Sequence, residues 1–187
     1  MKNNEIRKAL IVVDMQNDFV TGALGSAEAV RIVPAVAKKV REAKENGYAV
    51  VFTADTHHDD YLDTEEGKNL PVPHTKEGTE GWKIIPDLSG YVDGEYRGTL
   101  SPGLAYLVRK PTFGSVALGE ALKEYDPDTI EFTGVCTGIC VISNTLLAKA
   151  FCPNAHIIVH KECCACLTEE THQTALEAMR LCQVEII

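Results

Sequence analysis

Short apolar runs alternate along this chain with segments of helical spacing, and this alternation constrains the fold more than any other feature. The runs are β-branched and apolar on both faces, which is typical of strands buried in a parallel sheet. They occupy 9–14, 49–55, 130–135, 156–160 and 184–187, with a weaker candidate at 106–110. Helical spacing occupies 26–46, 115–125, 139–151 and 169–181. Strand and helix in turn predict an α/β fold, a three-layer α/β/α domain around a central, mostly parallel sheet.

The whole chain, 1–187, is predicted to be a single domain. At 187 residues it can bury a sizeable core, and no repeat, low-complexity tract or composition break divides it. Segment 56–105 departs from the alternation, because it is rich in Asp, Glu, Gly, Pro and His and has little periodicity. A long irregular stretch inside a compact domain is usually functional. We therefore expect 56–105 to form a lid or rim on the sheet.

Charge and cysteine content exclude several classes of function. The net charge is −9 and no basic cluster occurs, which argues against nucleic acid or an anionic membrane as partner. The apolar run from Ala9 to Val13 is too short for a signal peptide core or a membrane span. The seven cysteines are an odd number, so we expect reduced thiols in the cytoplasm rather than a disulfide framework.

Side chains that can take part in catalysis or bind a metal ion follow several of the predicted strands. Asp14 ends the first strand, Asp55 ends the second with His57 just beyond it, Lys110 ends the weaker candidate, and the strand at 130–135 leads to Cys140. Open parallel sheets bind ligands at the carboxyl ends of their strands. Taken singly, Asp14 could equally cap a helix or turn, and Lys110 could be a solvated surface lysine. Together at one sheet edge, they predict a functional site.

The stretch "TGVCTGIC" places two cysteines four residues apart. This is not the usual zinc spacing, and no second cysteine pair at metal-ligand spacing accompanies it. Thr137 is a natural N-cap, which predicts that Cys140 lies in the first turn of a helix, where free N–H groups and the macrodipole favour a thiolate. Cys140 is therefore the candidate nucleophile. Cys136 is expected to be a buried thiol that supplies only its amide to a developing oxyanion.

Four motifs resemble the isochorismatase-like cysteine hydrolases, and within them the nicotinamidase-related amidases, in order over nearly the whole chain. "VVDMQNDFV" resembles the motif that carries a catalytic aspartate and a pocket phenylalanine, here Asp14 and Phe19. "RKPTFGS" resembles the segment with the catalytic lysine, Lys110, and "GVCTGICV" the nucleophile motif that ends on Cys140. "ECCACLTEETHQTALEAM" is similar to the stretch that closes the domain. The resemblance implies an isochorismatase-like, Rossmann-like topology and a homo-oligomer.

The resemblance also implies a reaction, the hydrolysis of a small carboxamide, with nicotinamide giving nicotinate and ammonia. The Cys140 thiolate would attack the carboxamide carbon and form a thioester, with Asp14 as general base and acid and Lys110 as electrostatic partner. The amides of Cys136 and Cys140 would form the oxyanion hole. The family carries a non-prolyl cis peptide at this turn, which predicts one at Val135–Cys136.

A metal site is implied by the same resemblance. "DTHHDDYLDTEEGKNLPVPH" matches the family's aspartate and two histidines as Asp55, His57 and His74, with Glu66 as the expected further ligand. Imidazole and carboxylate ligands suit a divalent metal ion, with zinc expected and iron or manganese as alternatives.

Two departures from the family pattern leave the substrate open. Gly138 stands where the family often has aspartate, and Pro71 where nicotinamidases usually have a pocket aromatic. An N-carbamoyl or ureido amide is therefore an alternative substrate. A vinyl-ether hydrolysis of the isochorismatase kind is a second alternative, which the thiol and the metal set oppose. A third is a non-catalytic binding or redox-thiol protein built on three clustered cysteines, Cys163, Cys164 and Cys166.

Overall fold

Strands and helices alternate through residues 6–187, which are the residues that the structure, a computed structural model, describes. The strands are β1 (Lys8–Val13), β2 (Ala49–Asp55), β3 (Gly94–Glu95), β4 (Ala105–Lys110), β5 (Thr129–Val135), β6 (His156–Ala165) and β7 (Glu185–Ile186). The helices are α1 (Asn17–Val20), α2 (Ala27–Glu45), α3 (Glu65–Asn69), α4 (Pro86–Ser89), α5 (Val116–Tyr125), α6 (Ile142–Phe151) and α7 (Glu169–Leu181). A 3-10 turn covers Tyr61–Asp63, and a π-helical turn covers Thr137–Val141.

One seven-stranded sheet forms the centre of the molecule. Its order is β3-β4-β2-β1-β5-β6-β7, and each neighbouring pair is parallel. The carboxyl ends of these strands therefore lie along one edge. The chain winds outward from β1 in both directions, so the strand order reverses between β1 and β5. In open parallel sheets a crevice for ligands forms at such a reversal.

Side-chain alternation along β1 divides the core between the two faces of the sheet. Leu10 and Val12 pack in the same buried cluster as the apolar face of α2. Ile11 and Val13 pack in the cluster that includes the apolar residues of α5, α6 and α7. Helices therefore cover both faces, and the predicted three-layer α/β/α fold is confirmed. The strands between these layers are apolar on both faces because both faces are buried.

Hydroxyl residues begin three of the long helices. The side chains of Ser26, Ser115 and Thr168 accept hydrogen bonds from the first turns of α2, α5 and α7, which satisfies amide groups that would otherwise lack partners. Helix α6 differs, because it continues directly from the π-helical turn. The Thr137 hydroxyl lies 2.8 Å from Nδ1 of His172 and caps no helix. The prediction of an N-cap at Thr137 is wrong.

The segment 56–105 contains little regular structure apart from the 3-10 turn, α3, α4 and β3. The sequence did not predict β3, because a two-residue edge strand is too short to show alternation. Nor did it predict that β6 continues beyond 160 to Ala165. A register shift between Phe132 and Gly134 lets β5 pair with this second half of β6.

Gly134 permits the close contact between β1 and β5 beneath the sheet edge. Its φ angle is +113°, and a Cβ there would lie 2.1 Å from the carbonyl oxygen of Val13. Any other residue would therefore separate the strands that lead to Asp14 and to the cysteine turn. The peptide bond between Val135 and Cys136, at the end of β5, is cis, as the resemblance predicted. Within residues 6–187, no helix combines the length and the apolar character needed to cross a membrane.

Candidate active site and metal centre

Lys110 is the centre of the polar cluster at the carboxyl edge of the sheet. It ends β4 and its side chain is fully buried. The ammonium Nζ lies 2.7 Å from Oδ2 of Asp14 and 2.9 Å from Oδ1 of Asp55, and it approaches Sγ of Cys140 to 3.5 Å. Burial opposes the charged form, but Asp14, Cys140 and Asp55 together raise the pKa of Lys110 above its ordinary value. The site therefore holds a permanent positive charge beside the thiol.

Asp14 is held by its neighbour on β2. The Thr53 hydroxyl donates to Oδ1 of Asp14 at 2.6 Å and accepts from the Asp14 amide at 3.1 Å. Both side chains are fully buried. Burial raises the pKa of Asp14, while Lys110 and the Thr53 hydroxyl act in the opposite direction. Oδ2 is left to face Lys110 and makes no hydrogen bond of good geometry; the Asp14 carboxyl is also close enough to Cys140 to raise the pKa of its thiol.

Cys140 lies within the π-helical turn that follows β5, and it is 6% exposed. Burial raises the pKa of this thiol well above its ordinary value; Asp14 raises it further, and Lys110 acts in the opposite direction. The expectation that helix dipole and free amides would favour a resting thiolate is wrong. The thiol is protonated at rest because desolvation outweighs those contributions, and a base must remove its proton.

Two histidines and a carboxylate form a second cluster, which shares Asp55 with the first. Asp55, His57 and His74 are buried, and one potential ligand atom from each lies within 4.8 Å of the others. Oδ2 of Asp55 is 2.9 Å from Nε2 of His57 and 3.6 Å from Nε2 of His74. Glu66, on α3, brings Oε1 to 3.5 Å and 3.9 Å from the same two nitrogens.

The donor atoms of this cluster fit a divalent metal ion. Nδ1 of His74 donates to the carbonyl oxygen of Val72 at 2.8 Å, so the lone pair of that imidazole lies on Nε2, which faces Asp55. Nε2 of His57 is buried without a hydrogen bond of good geometry, although Asp55 is near. Two imidazole nitrogens and carboxylate oxygens directed at one point are a donor set for zinc, iron or manganese.

Asp55 is held by residues that the sequence analysis missed. The side-chain amide of Gln16 donates to the Asp55 carbonyl at 2.9 Å and accepts from the Asp55 amide at 2.8 Å. The Thr75 hydroxyl donates to Oδ2 at 2.9 Å. Burial raises the pKa of Asp55, but His57 and Lys110 outweigh it and hold that pKa well below its usual range. Gln16 lies two residues beyond Asp14. A polar residue so close to the end of a buried strand was the sequence signal that could have indicated a structural role for it.

Asn144 was missed as well, because a single polar residue in a helix carries no sequence signal. It is buried on α6, and its Nδ2 donates to the carbonyl oxygens of Cys140 at 2.8 Å and Phe113 at 3.0 Å. Its Oδ1 accepts from the amide of Ser115 at 2.9 Å. Asn144 thus ties the cysteine turn to the loop that follows Lys110.

A pocket of about 130 Å³ opens beside the thiol. Six of its lining residues are apolar, namely Phe19, Leu24, Leu70, Phe113, Ile139 and Leu167, and the others are Asp55, Glu66, His74, Cys136 and Cys140. The structure therefore brings Phe19, the predicted pocket residue, to the same space as the thiol and three of the metal-binding candidates. The ring of Phe19 lies edge-on to His74 with centroids 5.4 Å apart.

Fold and site together define an α/β protein that gathers a thiol, a carboxylate and an ammonium group at the carboxyl edge of a parallel sheet, next to a metal-binding cluster. Comparison with known families identifies the group more closely. Residues 8–187 match the Isochorismatase domain. The chain belongs to the isochorismatase family.

Several relatives resemble this chain over nearly their whole length. An isochorismatase family protein of Bacillus subtilis strain 168 is 32% identical over 177 residues, which cover 91% of this chain and 93% of the relative. A solved pyrazinamidase/nicotinamidase of Streptococcus mutans is 29% identical with a TM-score of 0.82, covering 96% of this chain and 99% of that one. A pyrazinamidase of Pyrococcus horikoshii, solved in complex with zinc, is 25% identical with a TM-score of 0.78, covering 97% and 98%.

Proposed function

We propose that this protein is a cysteine amidohydrolase that converts nicotinamide to nicotinate and ammonia. One observation carries the proposal: Sγ of Cys140 lies 3.5 Å from a buried lysine whose Nζ is 2.7 Å from Oδ2 of Asp14, at the end of a mainly apolar pocket. A nucleophile, a base and a fixed charge in contact are what attack on a carboxamide requires. The nicotinamidase relative supports the choice of substrate.

Asp14 takes the proton of the Cys140 thiol as the sulfur attacks the carboxamide carbon. The protonated resting thiol makes this transfer necessary, and Lys110 stabilises the negative charge that moves between sulfur and carboxylate. The amides of Cys136 and Cys140 are the proposed donors to the tetrahedral oxyanion. Asp14 then gives its proton to the departing ammonia, and water, with Asp14 again as base, releases the acid from the thioester.

The pocket favours a neutral aromatic amide over the alternatives. An apolar cavity of about 150 Å³ accepts benzene, so a pocket of about 130 Å³ has the size for one aromatic ring. Among the described residues that line it, the charged side chains are Asp55 and Glu66, and none is Lys or Arg. Apart from the metal ion proposed below, the lining offers no cation to pair with the carboxylates of an anionic ureido acid or an isochorismate-type diacid, and an unpaired charge is costly in a desolvated site.

Asp55, His57, His74 and Glu66 are the proposed ligands of a divalent metal ion, and we propose zinc. Glu66 is included because its carboxylate faces both imidazoles. When bound, such an ion supplies Lewis acidity to a coordinated oxygen or nitrogen atom. The zinc complex of the Pyrococcus relative supports the choice of metal.

The activity is tested by ammonia release from nicotinamide. Cys140→Ala is expected to abolish turnover, whereas Cys182→Ala, which alters the exposed cysteine after α7, keeps it. A panel that includes benzamide, an N-carbamoyl amino acid and isochorismate tests specificity. Turnover that survives in Cys140→Ala, or a preference for one of the anionic compounds, would contradict the proposal.

The metal site is tested by metal analysis of the purified protein. Wild type is expected to hold one zinc ion per chain, and His57→Ala and His74→Ala to lose it. His58→Ala is the matched control, because the neighbouring imidazole is 64% exposed and lies outside the cluster. Equal metal content in all four proteins would exclude these ligands.

The remaining expectations are part of the same proposal. Residues 1–187 are proposed to form one domain, in accord with the match to one domain model. Segment 56–105 is the proposed metal-binding lid, because His57, Glu66 and His74 lie in it. A cytoplasmic location accords with seven free cysteines. A homo-oligomer is expected from the family resemblance, and sedimentation velocity would measure it.

A further inference from the structure

Two cysteines that the proposed mechanism does not use as nucleophiles meet behind the pocket. Val135 and Ala165 are paired residues on the parallel strands β5 and β6, so Cys136 and Cys166 leave the sheet side by side. The two thiols are close enough to shift each other's pKa, that of Cys136 upward and that of Cys166 downward. Neighbouring strands are about 4.8 Å apart, and disulfides span Cα separations of about 4.4–6.8 Å. The backbone at this point therefore suits a disulfide.

The Cys166 sulfur lies among hydrogen-bond donors. Besides the Cys136 thiol, the side chain of Thr171 and the backbone amides of Gly138 and Leu167 donate toward it. A Cβ at Gly138 would lie 3.4 Å from the Cys166 sulfur. Because glycine has no side chain, this sulfur lies close to the backbone of the cysteine turn. The neighbouring Cys136 thiol, followed by the other donors, lowers the pKa of Cys166 to about 5, while burial acts in the opposite direction. The surroundings of Cys166 therefore favour its thiolate, whereas burial favours the thiol form of Cys140.

We propose that Cys136 and Cys166 are a redox-active pair, which a peroxide converts to a disulfide beside the nucleophile. The Cys166 thiolate attacks one peroxide oxygen, the O–O bond breaks, and hydroxide leaves, so that the sulfur becomes a sulfenic acid. The Cys136 thiol then attacks that sulfur, the S–O bond breaks, and water leaves with the thiol proton. The thiolate and the thiol together lose two electrons, and one peroxide is reduced to one hydroxide ion and one water molecule.

The proposed route of peroxide to the pair is the active-site pocket. Cys136 is half-buried and, like Leu167, lines that pocket, whereas Cys166 itself is 5% exposed. The amide of Cys136 is a proposed oxyanion donor, so fixing this residue to β6 changes the wall against which the amide substrate lies. Reversible loss of turnover on oxidation is the expected consequence, and this consequence rests on the proposed function.

The disulfide is tested in a Cys140→Ala protein, which removes the nucleophile as a reaction partner. After hydrogen peroxide, the tryptic peptide 124–149, whose remaining cysteine is Cys136, is expected to be joined to peptide 162–180 with the loss of two hydrogen atoms. Adding Cys166→Ser should abolish the link, with Cys166→Ala as a second variant. Adding Cys163→Ser, in the same peptide, should preserve it.

Two results would overturn the proposal. One is a link that persists without Cys166. The other is oxidation of the exposed Cys182 while both peptides stay reduced.

Turnover gives a separate readout. In wild type, peroxide is expected to lower ammonia release, and dithiothreitol to restore it; Cys166→Ser should lose activity at least about tenfold more slowly, because the thiolate is the reactive form. Equal rates of loss would overturn the regulatory consequence. A protein that forms the link but never releases ammonia would instead contradict the proposed function.

Discussion

Replacing Thr53 by valine tests whether the carboxylate of Asp14 is held in place by β2. The substitution keeps the branched shape of the side chain and removes the hydroxyl. That hydroxyl makes two contacts with one residue, donating to the carboxylate at 2.6 Å and accepting from its amide at 3.1 Å. Both groups are fully buried, so no solvent can replace the lost partner.

The expected loss of stability in Thr53→Val follows from the two hydrogen bonds that the substitution removes. A hydrogen bond to a charged group contributes about 1.5–3 kcal/mol, and leaving a buried amide unsatisfied costs about 1–3 kcal/mol. With relaxation, we expect Thr53→Val to lower the free energy of unfolding by about 2–4 kcal/mol. For a chain of this size, each kcal/mol lowers Tm by about 2–4 °C. The carboxylate also loses its orientation, and we expect kcat/KM to fall by about 10- to 100-fold.

Thr133→Val is the matched control. Thr133 is a fully buried strand residue on the other side of β1, and its hydroxyl donates to the carbonyl of Ile11 at 3.3 Å. This longer, neutral hydrogen bond contributes about 1 kcal/mol, and it lies outside the polar cluster. Urea unfolding and steady-state ammonia release measure both variants. If Thr53→Val and Thr133→Val prove equally stable and equally active, the positioning role of Thr53 is refuted.

Three further substitutions test other parts of the molecule. Burial raises the pKa of Glu131, but His160 and the other hydrogen-bond partners outweigh burial and lower that pKa to about 2. The ionised Glu131 therefore stabilises the folded protein above the pKa of the unfolded state, about 4.3. This stabilisation is lost as the pH falls toward 2. Urea unfolding should therefore show Glu131→Gln less stable than wild type at pH 7, with the difference vanishing near pH 2. Asn144→Ala, which leaves the Cys140 carbonyl without its side-chain donor, should lower the unfolding free energy by about 2–4 kcal/mol and lower kcat. Phe19→Ala, which removes a pocket wall, should raise KM for nicotinamide more than it lowers kcat, as initial-rate kinetics would show.

The fold could be predicted because the central strands β1, β2 and β5 are buried on both faces. The predicted strand at 49–55 coincides with β2, and the helices at 26–46 and 169–181 agree with α2 and α7 to within one residue at each end. Burial on both faces produces continuous apolar runs that no amphipathic helix resembles. The misses lie where this signal is absent. The edge strand β3 buries little, and the second half of β6 has a polar start that hides its pairing.

The site could be predicted as far as residue type and strand position determine it. Asp14, Asp55 and Lys110 follow apolar strands, so their convergence follows from the parallel order. The protonation state of Cys140 could not be predicted, because it depends on desolvation within the assembled core rather than on the local turn. Thr53 could not be predicted either. A threonine in a buried strand gains a role only from the register between β1 and β2.

Asp55 connects the two clusters and explains why their residues must be positioned together. Its Oδ1 accepts from Lys110 at 2.9 Å, while its Oδ2 faces the imidazoles of His57 and His74. Lys110 alone cannot neutralise both Asp14 and Asp55 in a buried site, since two carboxylates against one ammonium leave a net negative charge. A cation at the histidines would supply the missing positive charge on the far side of Asp55. The ammonium would then be free to act mainly on Asp14 and the thiol, so the candidate metal cluster and the proposed nucleophile would depend on the same carboxylate.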